Sequence, residues 1–200
     1  MNGQQGLAHS SPTRVWHDRH VPGTRLIELA RDIDARCRLR GRFTLRSGQV
    51  SSDYFDKYLL ESDPALLRRV TDEMAGLVPP GTGALAGLEL GGVPLAVMLS
   101  QATGIPALFV RKQAKTYGTC RIAEGGDPAG LTVALVEDVI TTGGAVVQAA
   151  GALRDLGATV STVICAIDRS QRGSSRLAAA GIAVKPVLSK DLLDSVTTPT

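Results

Sequence analysis

The 200-residue chain is long enough for one domain that buries roughly two-thirds to three-quarters of its unfolded surface. Its residues are 44% hydrophobic but only 4% aromatic, so Ala, Val, Leu and Ile must build the core, as in layered α/β proteins. A net charge of +3 lacks the dense basic stripe of a nucleic-acid binder, and no run of about 18 apolar residues offers a membrane span. Three scattered cysteines (Cys37, Cys120, Cys165) have no metal spacing and fit a reduced, cytoplasmic protein.

Residues 1–20 are polar, rich in Gly, Gln, Ser and His, and have no apolar h-region. They are predicted to form a flexible N-terminal arm rather than a secretory signal. Thr24–Ile33 has helical spacing, with Leu26, Ile27, Leu29, Ala30 and Ile33 on one face and Thr24 as N-cap. Arg42–Gly48 reads as a short strand and a Gly turn, and residues 64–77 as a helix with Pro64 in its first turn. From residue 83 apolar strands alternate with helices. Strands are expected at 84–88, 106–110, 131–136, 160–167 and 182–188, and helices at 94–102 and 145–156. Such alternation predicts a mostly parallel sheet covered by helices on both faces, with ligands beyond the carboxyl ends of the strands.

The strand at 131–136 runs into Glu137-Asp138-Val139-Ile140-Thr141-Thr142-Gly143-Gly144-Ala145. Two carboxylates at a strand end can accept hydrogen bonds from sugar hydroxyls or help hold a hydrated divalent ion. The glycines let backbone N–H groups approach a ligand, and the helix that follows favours an anion at its N-terminus. A sugar phosphate satisfies all three features; a solvated strand end with an ordinary cap is the plainer alternative. No Gly-x-x-x-x-Gly-Lys-Ser/Thr or Gly-x-Gly-x-x-Gly loop is present.

The segment Leu135–Gly143 resembles the 5-phosphoribosyl 1-diphosphate (PRPP) signature of the type I phosphoribosyltransferases. The resemblance implies that family's α/β fold, with a central mostly parallel sheet flanked by helices. A small N-terminal hood, from about 21–63 plus the C-terminal segment, would complete one domain over 21–200. It implies that Glu137 and Asp138 bind the ribose hydroxyls and that Thr141, Thr142, Gly143, Gly144 and Ala145 hold the 5-phosphate.

Four further segments resemble the orotate phosphoribosyltransferases, and with the signature the likeness spans roughly residues 22–195. Arg111-Lys112-Gln113-Ala114-Lys115-Thr116-Tyr117-Gly118 is like their catalytic loop, with Tyr117 where relatives carry His. A solvated basic loop is the plain reading of those charges alone. The resemblance makes Lys115 the catalytic lysine, acting with Asp138, and has Arg111 and Lys112 also bind diphosphate. Phe43–Asp56 is similar to an N-terminal segment of the family, with Arg46 where Lys is common. Tyr54 and Phe55 fall on positions that stack on or edge the pyrimidine; that they are simply core aromatics of the hood is the plainer alternative. Asp168-Arg169 implies that Arg169 binds the orotate carboxylate, with Arg46 and Thr141 also on the orotate side. Gly87–Pro94 aligns with the diphosphate loop, where Leu90-Gly91 replaces a common Tyr-Lys, so that Gly91 would bind through its backbone.

The expected activity is Mg²⁺-dependent transfer of phosphoribose from PRPP to orotate, giving orotidine 5′-monophosphate and diphosphate. No direct protein ligand to Mg²⁺ is assigned; Glu137 and Asp138 would reach it through water or PRPP. The resemblance also implies a homodimer with the Lys115 loop shared between subunits. A phosphoribosyltransferase for another nucleobase and a non-catalytic PRPP-binding regulator are the alternatives. The second needs a DNA-binding module, for which residues 1–40 are too short.

Overall fold

A computed structural model describes residues 22–45, 48–113, 122–170 and 175–197. Helix α1 (Pro22–Cys37) starts two residues ahead of the expected Thr24 cap, so Thr24 lies inside its first turn. A proline with preset φ suits that first position. Two strands follow, β1 (Arg38–Thr44) and β2 (Val50–Phe55), paired antiparallel with Leu39 opposite Tyr54 and Phe43 opposite Ser51. The turn between them contains Gly48 at φ 84°, a conformation that favours glycine.

A single-turn helix, α2 (Tyr58–Glu61), leads into α3 (Pro64–Ala75). Asp63 caps α3 by accepting from the N–H groups of Ala65 and Leu66 at 3.0 and 3.1 Å. Leu66, Val70 and Met74 recur every fourth residue and are buried. Beyond them run β3 (Ala84–Leu88), α4 (Gly92–Thr103), β4 (Ala107–Val110), β5 (Ala123–Glu124) and β6 (Thr132–Ile140). The last elements are α5 (Gly144–Asp155), β7 (Thr159–Asp168), α6 (Ser175–Ala179), β8 (Ala183–Ser189) and α7 (Lys190–Val196).

The main sheet has the order β5-β4-β3-β6-β7-β8, parallel throughout except for the short antiparallel β5. Its two faces are covered separately, as the alternation along β6 requires. Ala134 and Val136 pack with Leu29, Ile33, Met74, Leu95 and Leu99 from the helices of one layer. Val133 and Leu135 pack with Val146, Ala150, Leu153 and Leu177 from the other. The expected mostly parallel sheet between helical layers is the fold observed.

Strand β6 runs four residues past its expected end at Val136. Strand β7 is also long, and the two stay paired through Val139 with Ile167 and Ile140 with Asp168. The acidic pair is therefore held in a paired strand, not on a loop. Pro186 sits inside β8, where an edge strand tolerates a missing N–H. At the C-terminus α7 packs on α1. Arg38 joins the two by donating to Asp34 Oδ1 (2.7 Å) and to Thr197 Oγ1 (3.2 Å).

Candidate active site

The site grows from the carboxyl end of β6. Asp138 is 0% exposed, and burying a charged carboxylate requires partners. Its Oδ1 accepts from the Val139 N–H at 2.5 Å, and its Oδ2 lies 2.6 Å from Lys57 Nζ. Leaving such a charge without its ion-pair partner costs about 3–5 kcal/mol. Burial opposes the Lys57 ammonium, but the hydrogen bond to Asp138 and the charges of Asp138 and Glu137 outweigh it. The Lys57 pKa therefore rises above its usual value.

Two more carboxyls complete the cluster. Glu61 is pushed up to about 8 by burial, then by its hydrogen bond to Asp138 and the Asp138 charge. Glu137 is pushed up to about 8 as well, by burial first and the Asp138 charge second. Burial and the Asp138 charge thus make both carboxyls harder to ionise than an exposed glutamate. Glu61 Oε1 and Glu137 Oε2 are buried without a hydrogen-bond partner in the described structure.

The turn between β3 and α4 closes tightly over this cluster because it is built from glycine. A Cβ on Gly91 would collide with Asp138 Oδ2 and come within 2.6 Å of Glu61 Oε1. One on Gly92 would collide with the Val136 carbonyl, and one on Gly87 would sit 2.5 Å from the Gly92 carbonyl. The Glu89–Leu90 peptide in this turn is cis.

After Ile140 the chain turns through Thr141 and Thr142, both exposed, into α5. Gly143 has φ 70°, and a Cβ there would sit 2.9 Å from Leu177 Cγ. Neither a side-chain cap nor an acidic residue occupies the first turn of α5. Its N–H groups are thus available to an anion, and the helix dipole favours one there. The Arg176 guanidinium borders the Gly144 backbone.

At the end of β4 the Arg111 side chain is partly buried, with no hydrogen-bond partner for Nε. The Lys112 N–H donates to Glu89 Oε1 at 3.0 Å, tying this segment to the β3–α4 turn. A small cavity of about 60 Å³ lies between them and α5, bordered by Glu89, Arg111, Lys112 and Gln148. Lys115 and Tyr117 lie outside the described residues, as do Arg46 and residues 171–174.

On the opposite flank Arg169 follows β7. Its guanidinium stands 5.1 Å from the centre of the Phe55 ring. Burial, and then the positive charge of Arg38, lower its pKa. Tyr54 points to the other side of β2 and pairs with Phe43, ring centres 5.5 Å apart. The two adjacent aromatics thus part ways, as neighbours on a strand do.

Glu137, Asp138, Gly91 and the 141–145 turn therefore converge, with Arg111 and Lys112 bordering them. Lys57, Glu61 and Arg176 are the side chains that sequence reasoning missed. Lys57 and Glu61 follow the aromatic pair directly, but nothing local ties them to a carboxylate far along the chain. Arg176 had no motif to mark it.

No family model matches the chain. An orotate phosphoribosyltransferase from a Nocardioides species is 64% identical over 167 residues, covering 84% of this chain and 93% of the relative. Among solved structures, the Mycobacterium tuberculosis orotate phosphoribosyltransferase in complex with Fe(III) dicitrate superposes with a TM-score of 0.76 at 31% identity, covering 84% of this chain and 98% of that one. The same M. tuberculosis enzyme in complex with PRPP gives 0.72 at 28% identity, with 85% and 99% coverage.

Proposed function

The chain belongs to the orotate phosphoribosyltransferase family, and we propose that its own residues divide the work of that activity as follows. The reaction moves phosphoribose from PRPP to N1 of orotate, giving orotidine 5′-monophosphate and diphosphate for pyrimidine biosynthesis. One observation carries the assignment of the donor site. An acidic pair, part-buried Glu137 and fully buried Asp138, leads within one segment into an uncapped helix N-terminus at Thr141–Ala145.

In this reading Glu137 and Asp138 take the ribose hydroxyls. The N–H groups and hydroxyls of Thr141, Thr142, Gly143, Gly144 and Ala145 take the 5-phosphate. The Gly91 backbone, Arg111, Lys112 and Lys115 face the diphosphate, and Lys115 and Asp138 are the catalytic residues. Arg169 pairs with the orotate carboxylate, whose planar geometry matches a guanidinium. Arg46, Thr141 and Phe55 border the base, whereas Tyr54, on the other face of β2, packs on Phe43 instead. The ribose carbon develops positive charge and the leaving diphosphate negative charge, so preorganised cations lower the barrier and no protein nucleophile is needed.

The donor groups fit a substrate-borne Mg²⁺. Among the described residues no three His, Cys, Asp or Glu side chains converge as a cage. The unpartnered Glu137 Oε2 beside Asp138 is the donor set expected for an ion that keeps its waters and is carried by phosphates. Bound there, the ion would neutralise the departing diphosphate. Further parts of the proposal are a homodimer that shares the Lys115 loop, a hood of residues 21–63 with the C-terminal segment, and a cytoplasmic location. No helix among the described residues is long and apolar enough to cross a membrane.

An ultraviolet assay of orotate consumption with PRPP and Mg²⁺ tests the reading directly. Orotate should be consumed only with PRPP present. A silent assay, with a purine or uracil turned over instead, would sink it.

A further inference from the structure

The β3–α4 turn faces the diphosphate in the proposed function, yet Gly87-Leu88-Glu89-Leu90-Gly91-Gly92 contains no cationic side chain. Its one charged residue, Glu89, is acidic and already accepts from the Lys112 N–H. Packing bars a cation from two positions, because any Cβ on Gly91 meets the Asp138 carboxylate and any on Gly92 meets the Val136 carbonyl. Leu90 is 63% exposed and apolar.

We propose that Lys57, arriving from the segment between β2 and α2, supplies the cation this turn lacks and contacts the diphosphate of PRPP. The inference rests on the donor-site reading above. Lys57 Nζ and the Gly91 backbone lie against the same oxygen, Asp138 Oδ2. The ammonium thus stands beside the turn, although its backbone belongs to the other end of the chain. The Lys57 side chain is 33% exposed, so a ligand can reach the ammonium while it pairs with Asp138. An ammonium has three N–H donors, and Asp138 Oδ2 takes one. The others remain for diphosphate oxygens. The rival role is a counter-ion that only keeps Asp138 in place.

Ribose 5-phosphate separates the two roles, because it has the hydroxyls that would meet Asp138 but no diphosphate. Calorimetric titrations of the full-length protein with Mg²⁺ would compare Lys57→Met with wild type. The expected result is PRPP and diphosphate binding weakened about tenfold or more, with ribose 5-phosphate within about twofold. Adding Leu90→Lys to that variant should recover diphosphate affinity. Equal weakening of ribose 5-phosphate, or no change in diphosphate affinity, would overturn the proposal. Should Lys57→Met fail to fold, amine acylation of the wild-type protein followed by mass spectrometry decides. Saturating diphosphate should slow modification at Lys57 and ribose 5-phosphate should not; protection by both or by neither overturns the idea. Wild-type protein that binds neither PRPP nor ribose 5-phosphate would instead fail the donor-site reading itself.

Discussion

The proposed donor flank and the proposed acceptor flank of this site are built in different ways. The donor flank is one continuous stretch, Val136 to Ala145, braced from above by Gly91 and Gly92 with no room for a methyl group. The acceptor flank is assembled from separate pieces: β2 supplies Phe55, the end of β7 supplies Arg169, and the two-stranded β1–β2 sheet is apart from the main one. A site packed to its limit fails when any atom is added. A site held by a few side-chain contacts loses function gradually, and for one substrate only.

The largest effect should follow from breaking the packed side. Gly91→Ala places a methyl group into the Asp138 carboxylate, and backbone and a buried ion pair leave little room to yield. Overpacking of this kind costs about 1–3 kcal/mol. Displacing Asp138 by about 1 Å should lower kcat/KM for PRPP on the order of 100-fold. Steady-state kinetics with a thermal melt would check both; unchanged PRPP kinetics would show that the turn does not brace the carboxylate.

This difference also explains what the sequence made legible. The donor segment was readable because its parts are neighbours: an apolar strand, two acids, two hydroxyls, two glycines and a helix. Even there the strand end was misjudged by four residues, since the continued pairing of Val139 and Ile140 depends on the length of β7. Lys57 and Glu61 were invisible because what makes them matter is a contact with Asp138, far along the chain. The separate destinations of Tyr54 and Phe55 could have been inferred from strand alternation, once β2 was known to run through both. What Phe55 would meet could not, because Arg169 arrives from β7.

On the acceptor side smaller, substrate-selective losses are expected. Arg169→Lys keeps the charge but loses the planar fork. The KM for orotate should rise about tenfold while that for PRPP stays within about twofold, since a hydrogen bond between charged groups contributes roughly 1.5–3 kcal/mol. Equal rises for both substrates would place Arg169 in a shared structural role. Phe55→Leu should act in the same direction through loss of the ring beneath Arg169. A cation–π contact of about 0.5–2 kcal/mol corresponds to roughly twofold to thirtyfold in orotate affinity. Phe55→Tyr should retain most of it. A leucine variant with native orotate affinity would mean that the ring does not hold the guanidinium.

The mildest test returns to the packed side and uses pH. The Glu61 pKa in the folded protein, about 8, lies above its ordinary value of 4.5, so folding favours the protonated carboxyl. The stability this contributes is full below about pH 4.5 and is lost as pH rises through about 8, because the carboxylate must then ionise beside Asp138. Glu137 adds a change of the same sign over the same window. Glu61→Gln keeps a hydrogen-bond donor toward Asp138, as the neutral acid does, but cannot ionise. Melting temperatures of the ligand-free protein from pH 5 to 9 should therefore fall less steeply for the variant than for wild type. Parallel curves would mean that Glu61 ionises as freely in the folded protein as in the unfolded chain. Any remaining fall would then come from groups other than Glu61, Glu137 first among them.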